Sequence, residues 1–273
     1  MSKKKRLIIP IFIPFAGCPS RCVFCDQEGI TGKGQMPSAG DVTRVIESHL
    51  ASWKGSGEKE AAFYGGTFTA LPVETQRRYL EVAFGYVRSG GLDSLRVSTR
   101  PDCVSNETVE LLTAYGVKTV ELGVQSMDDE VLKLSGRGHG VNDSIEAVRL
   151  LKEHGLTVGL QFMPGLPGDT EAAIIKTAEE MIALRPAFAR VYPALVLKGT
   201  ALHRMYLDGQ YSPWPLDEMV KICERILTLF NQAGIPIVRM GLQPTTELRE
   251  SIVDGPYHPS FRQLVDNLRQ TRF

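Results

Sequence analysis

The chain has 273 residues, is 43% hydrophobic, and carries 31 basic and 31 acidic side chains. That length predicts one large domain or two small ones with a substantial core, and zero net charge removes the strongest argument for a general nucleic-acid binder. No stretch approaches the roughly 20 apolar residues that span a bilayer, so no membrane partner is expected; the longest apolar run, 7–15, is broken by Pro10 and Pro14.

In chain order, Lys3 to Arg6 read as a solvated basic tail, followed by a strand over 7–15. A helix over 41–51 places Val42, Val45, Ile46 and Leu50 on one stripe. Strands are predicted over 61–67, 95–98, 119–124, 157–163, 189–197 and 235–240, where apolar and β-branched residues cluster. Helical period marks 73–87, 107–115, 141–154, 170–184 and 216–232. Gly116, Gly155 and Gly234 each end a helical run before a strand, and Asn142-Asp143-Ser144 and Pro215-Leu216-Asp217 read as helix starts. A turn over 255–259 and a short amphipathic helix over 261–272 close the chain. The β-α repeat implies an α/β fold with a parallel sheet, as a partial or complete barrel. The expected division is a basic tail (1–6), a barrel (7–244) and a C-terminal turn and short helix (245–273).

One strand describes the interior. Val120, Leu122 and Val124 alternate with Glu121, Gly123 and Gln125, so one face is apolar and the other must line a cavity. Reactive groups in (β/α) barrels sit at the C-terminal strand ends. Here those ends read Gly65-Gly66-Thr67, Ser98-Thr99-Arg100, Gln125-Ser126 and Pro164-Gly165, and a ligand is expected there.

Five cysteines are too few for a disulfide framework, and three of them, Cys18, Cys22 and Cys25, fall within eight residues. That spacing suggests a soft metal centre in a reducing compartment, hence a cytoplasmic protein. A structural zinc ion would need a fourth ligand from Cys103, Cys223 or a histidine. A four-iron cluster on three thiolates would leave one iron open, and three reduced core cysteines are the third reading. Cys103 reads as a small buried residue or a cavity thiol, Cys223 as helix core among Val220, Ile222, Ile226 and Leu227, His139 as part of a glycine turn, and Tyr192 as a cavity residue.

The segment Gly17 to Cys25, with Phe24 before the third cysteine, resembles the hallmark of the radical S-adenosylmethionine (SAM) enzymes. Tyr64-Gly65-Gly66-Thr67 is similar to that family's second-strand glycine motif, with Thr67 where many members carry Glu. Further motifs resemble the Elp3-like radical SAM domain: Ser98 to Asp102, Val120 to Ser126, Ser135 to His139, Met163 to Gly168 and Val191 to Thr200. The resemblance spans 11–240. Oxygen-independent coproporphyrinogen III oxidases are a more distant match.

The resemblance implies a partial (β/α)6-type TIM barrel of the radical SAM kind with a short C-terminal extension. It implies that Cys18, Cys22 and Cys25 ligate a [4Fe–4S] cluster and that SAM binds at the open iron. One electron, from a donor such as flavodoxin or ferredoxin, would then cleave SAM to a 5′-deoxyadenosyl radical that abstracts hydrogen from an RNA nucleoside or a small molecule. Gly65, Gly66 and Thr67 would contact the methionyl end. Ser98 stands where the oxidases use an acidic residue for the ribose, Gln125 and Arg137 match polar SAM contacts, and Gln161 again replaces an acidic residue. Arg137 suits the SAM carboxylate through paired donors. Net charge gives no indication of RNA, although Arg21, Arg100, Arg137 and Arg190 could line one mouth.

Two departures bear on the reaction. Elp3 carries an acetyltransferase domain for which the 33 residues after Met240 leave no room, and its cysteine spacing is longer, so its acetyl transfer is not expected to carry over whole. No radical-accepting or other catalytic residue stands out. The alternatives are a non-catalytic module that carries or senses the cluster and SAM, and a zinc-stabilised adaptor.

Overall fold

The computed structural model describes residues 6–13, 17–26 and 36–270. Residues 1–5 of the basic tail, 14–16 of the first predicted strand and 271–273 at the end of the last predicted helix lie outside the described residues. The chain divides into two compact units: Met1–Pro19, Lys33–Leu122 and Glu146–Val158 form one, and Ser20–Gly32, Gly123–Ile145 and Gly159–Phe273 the other.

The first unit is built on β1 (Leu7–Ile13), β2 (Lys59–Gly65), β3 (Ser94–Thr99) and the first part of β4 (Val117–Gln125). Neighbours pair in parallel, with Ile9 opposite Ala61, Ala61 opposite Leu95 and Val97 opposite Val120. Helices α1 (Ala39–Ser52), α2 (Val73–Arg88) and α3 (Asn106–Ala114) connect them. Ser38 and Asp41 cap α1 reciprocally, and hydrogen bonds from Ser38 hold the Asp41 carboxyl below its ordinary pKa. Val42 and Ile46 are fully buried on the stripe read from the sequence. Phe63, Phe68 and Tyr79 pack ring on ring, with centroids 5.1 and 6.0 Å apart; each such buried side chain contributes about 1.5–3 kcal/mol.

The second unit holds the end of β4, α4 (Asp129–Leu134), the start of α5 (Val141–Glu153), most of β5 (Thr157–Phe162), α6 (Glu171–Ala183), β6 (Phe188–Val191), β7 (Val196–Leu197), α7 (Ala201–Leu207), α8 (Leu216–Gln232), β8 (Ile237–Met240), α9 (Thr246–Ser251), β9 (Ile252–Asp254) and α10 (Phe261–Gln270). β5 pairs in parallel with β6, and β6 with β8. Helix α8 buries Met219, Ile222, Cys223, Ile226, Leu227 and Phe230 along its inner face.

Seven strands follow the order β1-β2-β3-β4-β5-β6-β8. Near-sequential order with helical crossovers is the topology of a partial (β/α) barrel, the α/β class read from the sequence. The predicted strand over 189–197 is two strands. Pro193 has no N–H to give a ladder, and the chain leaves the sheet there, so that Val196 and Leu197 pair antiparallel with β9. Helix α5 begins at Val141 rather than at the Asn142-Asp143-Ser144 start. Asp129, from outside the helix, accepts from the Val141 amide at 2.8 Å, and Asp143 accepts from Gly140 at 2.7 Å. Helices α4, α7 and α9 and strand β9 have no counterpart among the predicted elements; at three to seven residues they are too short for a period to show.

Candidate cofactor site at the strand ends

In the first unit, Cys18 is seated against the turn that follows β2. Its thiol shares a hydrogen bond with the buried Thr67 hydroxyl at 3.2 Å. Gly17 makes this approach feasible: its φ is +79°, and a Cβ there would lie 2.4 Å from the Thr67 carbonyl oxygen. Gly65 approaches the Ile13 carbonyl almost as closely, with a φ of +105°. The glycine motif and the first cysteine therefore stand side by side. Ser98, at the end of β3, donates to the Phe63 carbonyl at 3.3 Å. Nearby, Thr69 bonds Thr99 at 2.6 Å and donates to the Cys103 carbonyl, and Arg100 holds Asp102 bidentately at 2.8 and 2.9 Å.

Below these strand ends lies a charged layer of which the sequence reading had named only Glu121. Arg96 on β3 bonds Glu60 on β2 at 2.6 Å and Glu121 on β4 at 2.5 Å, with all three side chains at most 8% exposed. Tyr64 donates its hydroxyl to Glu121 at 2.9 Å. Burial works against the guanidinium, but Glu60, Tyr64 and Glu121 more than offset it and hold Arg96 above its ordinary pKa. The signal was available in the sequence: Glu60 and Tyr64, Arg96 and Ser98, and Glu121 all sit at alternate positions on their strands.

In the second unit, the loop that carries the other two cysteines is held at Cys22 and Val23 by the Ser135-Gly136-Arg137 turn. The Val23 amide donates to the Ser135 carbonyl at 3.0 Å, and Gly136, with a φ of +63°, leaves room for the Arg21 carbonyl, which a Cβ would meet at 3.2 Å. Arg137 is 5% exposed; its Nη1 donates to the Cys22 sulfur at 3.2 Å and its Nη2 to the Gly123 carbonyl. The Leu202 amide ties Val23 from another side, at 2.7 Å. Phe24, between Cys22 and Cys25, packs against Val131, Leu166 and Ala194 and against Val196, Leu202 and Tyr211. An aromatic before the third cysteine thus anchors the loop. Gln161 donates to the Gln125 side chain at 3.1 Å; Gln125 is 5% exposed with a φ of +71°, a conformation a non-glycine residue adopts at a cost of about 1–3 kcal/mol.

Cys18, Cys22 and Cys25 are half-buried and joined in no disulfide. The remaining two are different. Burial, with Asp102 adding to it, pushes Cys103 up to about 11, and burial alone raises the fully enclosed Cys223, so both thiols favour the protonated form. Among the described residues, no three His, Cys, Asp or Glu side chains converge closely enough to hold a single metal ion. His139 is buried in its glycine turn, and Tyr192 follows β6 half-buried.

Asp169 escaped the sequence reading. Its Oδ2 accepts from the Gly165 and Leu166 amides at 2.9 and 3.2 Å, shaping the loop after β5. Burial raises its pKa to about 7 against the pull of those two amides.

Residues 12–181 match the radical SAM superfamily. The chain belongs to that superfamily. Residues 186–270 match the radical SAM C-terminal domain. The chain is 28% identical over 246 residues to a tRNA uridine(34) acetyltransferase of Dehalococcoides mccartyi, covering 78% of this chain and 54% of the relative. It therefore spans about half the length of that protein. Among solved structures, the Elp3 of the archaeon Methanocaldococcus infernus superposes with a TM-score of 0.78 at 23% identity, over 98% of this chain and 63% of the other. Coproporphyrinogen III oxidase (HemN) from Escherichia coli, a radical SAM enzyme, gives 0.61 at 18%, over 85% and 53%. These likenesses confirm the fold expected from the sequence, the partial TIM barrel, with Elp3 as the nearer resemblance of the two. The chain is a radical SAM enzyme of the Elp3-like kind, and the cofactors of that family are a [4Fe–4S] cluster and SAM. No helix among the described residues is long and apolar enough to cross a membrane.

Proposed function

We propose that Cys18, Cys22 and Cys25 hold a [4Fe–4S] cluster and that the enzyme reductively cleaves SAM to abstract hydrogen from its substrate. The observation that carries this reading is three half-buried cysteines outside any disulfide, with the Arg137 guanidinium donating to the Cys22 sulfur. Iron is held by thiolates, and a guanidinium beside the Cys22 sulfur is complementary to their negative charge. When bound, the cluster and SAM supply a one-electron cleavage that yields methionine and a 5′-deoxyadenosyl radical.

What this chain's own residues contribute is placement. Gly17 and the Gly65-Gly66-Thr67 turn fix the first cysteine, and the turn's backbone is open to the methionyl end of SAM. Arg137 has a fork suited to a carboxylate, while its bond to the Gly123 carbonyl keeps the guanidinium at the end of β4. Gln125 and Gln161, tied to one another, offer amide groups to SAM, and Ser98 offers a hydroxyl lone pair where the oxidases place a carboxylate. Similarity to tRNA uridine(34) acetyltransferases favours a nucleoside of RNA as substrate over an unrelated small molecule, with a flavodoxin or ferredoxin as electron donor in the cytoplasm.

The test is anaerobic reconstitution with iron and sulfide, reduction by dithionite, and assay of 5′-deoxyadenosine formed from SAM. Deoxyadenosine is expected from the wild type and from none of the Cys18→Ala, Cys22→Ala or Cys25→Ala variants. A Cys22→Ala protein that keeps iron and sulfide at the wild-type level refutes the ligand set.

A further inference from the structure

Strand β1 alternates enclosed and open positions: Ile9, Ile11 and Ile13 are at most 2% exposed, while Phe12 is 44% exposed. The register shows which face Phe12 is on. Phe12 stands opposite Tyr64, Pro10 opposite Ala62 and Ile8 opposite Glu60, and Ala62 stands opposite Arg96. Register partners on neighbouring strands project to the same face, so Phe12 shares the polar face of the first unit with Glu60, Tyr64 and Arg96. A lone phenylalanine on an outer surface is ordinary; one on the face that carries the buried charge layer is not.

Exposure on that face grows toward the C-terminal strand ends. Glu60, Ala62 and Arg96 are buried and form a floor, Tyr64 and Ser98 are half-buried, and Phe12 is open. The next residue along β1, Ile13, has its carbonyl against Gly65, so Phe12 lies one residue below the glycine turn that seats Cys18. Tyr64 directs its hydroxyl to Glu121 on β4, away from β1. Among the described residues no aromatic ring packs on Phe12.

An apolar ring set among polar groups suits a ligand with apolar faces and a hydrogen-bonding edge. A nucleobase has that form, and bases stack on aromatic side chains with little regard to sequence. We propose that Phe12 is the stacking platform for a nucleobase of the substrate. The platform deepens the radical SAM reading and rests on it: the neighbouring glycine turn is assigned to the methionyl end of SAM, and a base on Phe12 lies beside that end.

The reconstituted holoenzyme, with SAM present, is titrated into 2-aminopurine riboside and into a short single-stranded RNA carrying 2-aminopurine, whose fluorescence is quenched by stacking. Saturable quenching is expected with the wild type. In Phe12→Leu, which keeps an apolar side chain and loses the ring, affinity is expected to fall at least about tenfold and the quenching to disappear. Phe12→Tyr keeps the ring and is expected to behave as the wild type. Calorimetry is expected to give unchanged SAM affinity in both variants, with melting temperatures close to wild type; Phe12→Met stands in if Phe12→Leu folds poorly. Absence of quenching by the wild type with either probe, or equal binding and quenching in Phe12→Leu, overturns the proposal. Loss of SAM affinity at an unchanged melting temperature also overturns it, by assigning the ring to SAM. Saturation with the riboside alone supports the platform and names a free nucleoside as the source of the base, whereas quenching that needs the oligonucleotide supports it and names RNA. If the radical SAM reading itself is wrong, that appears separately, as wild-type protein that binds no SAM.

Discussion

Replacing Arg96 with methionine takes the guanidinium from between Glu60 and Glu121 while leaving a side chain of similar length. The three side chains are 3%, 2% and 8% exposed, so water cannot take the place of the lost partner. Breaking a buried ion pair from one side costs about 3–5 kcal/mol, a large share of the ~5–15 kcal/mol that stabilises a typical domain. The carboxylates left behind have one escape, which is to bind protons. Burial without a counter-ion raises their folded-state pKa above the unfolded value, so the variant is least impaired at low pH and loses stability as pH rises through the new pKa. Urea unfolding followed by circular dichroism from pH 5 to pH 8 reads this directly. The deficit relative to wild type is expected to be about 3–5 kcal/mol at pH 8 and smaller at pH 5. Adding Glu60→Gln and Glu121→Gln to the variant is expected to restore most of the loss, because the charges and the cation are then removed together. A deficit below about 1 kcal/mol, or one independent of pH, refutes the account of the layer as a mutually dependent charge set.

Gly17→Ala is expected to lose iron on reconstitution and to destabilise the fold, since its Cβ would meet the Thr67 backbone at 2.4 Å where nothing flexible can give way; normal iron content in that variant argues against close seating of Cys18. Asp169 should make stability fall as pH rises from the ordinary carboxyl range through about 7, because its folded pKa is raised. Asp169→Asn, which still accepts from Gly165 and Leu166, is expected to remove that slope, and a wild-type difference that does not vary with pH counts against it. Cys223, fully buried with its thiol pushed up, is expected to resist alkylation at pH 8 in the native protein and to react in urea; mass spectrometry of the native, alkylated protein decides.

Much of this architecture was written in local chemistry. The stripe Val42 and Ile46, the glycines closing helices, and the alternation in β4 each report a single element's surroundings, and each matches the fold. The split at Pro193 was visible as a residue but not as an event, because leaving the sheet required β9, some 60 residues later in the chain, as a new partner. The cysteine spacing announced a metal centre, yet the clamp on it, Ser135 to Arg137, depends on contacts more than 110 residues apart. The same holds for Arg96 and Glu60: their periodicity places them on one face, but only the strand register makes them a pair. Asp169 sent no signal at all, since an acidic residue in a turn is ordinary and its burial is a property of the packed loop.

Strands β6 and β8 pair irregularly, with Ala189 opposite Ile237 and Arg190 opposite Arg239, and the extra residue between them, Val238, gives a single backbone insertion an unusual reach. With an even register, Val238 rather than Arg239 would stand next to Arg190, and the arginine would turn to the opposite side of the sheet. The polarity of that wall is therefore written in register rather than in composition. Slipping the pairing to an even register with Val238 retained would exchange a cation for an aliphatic group without substituting one amino acid, whereas deleting Val238 would leave Arg239 opposite Arg190 and only remove the bulge.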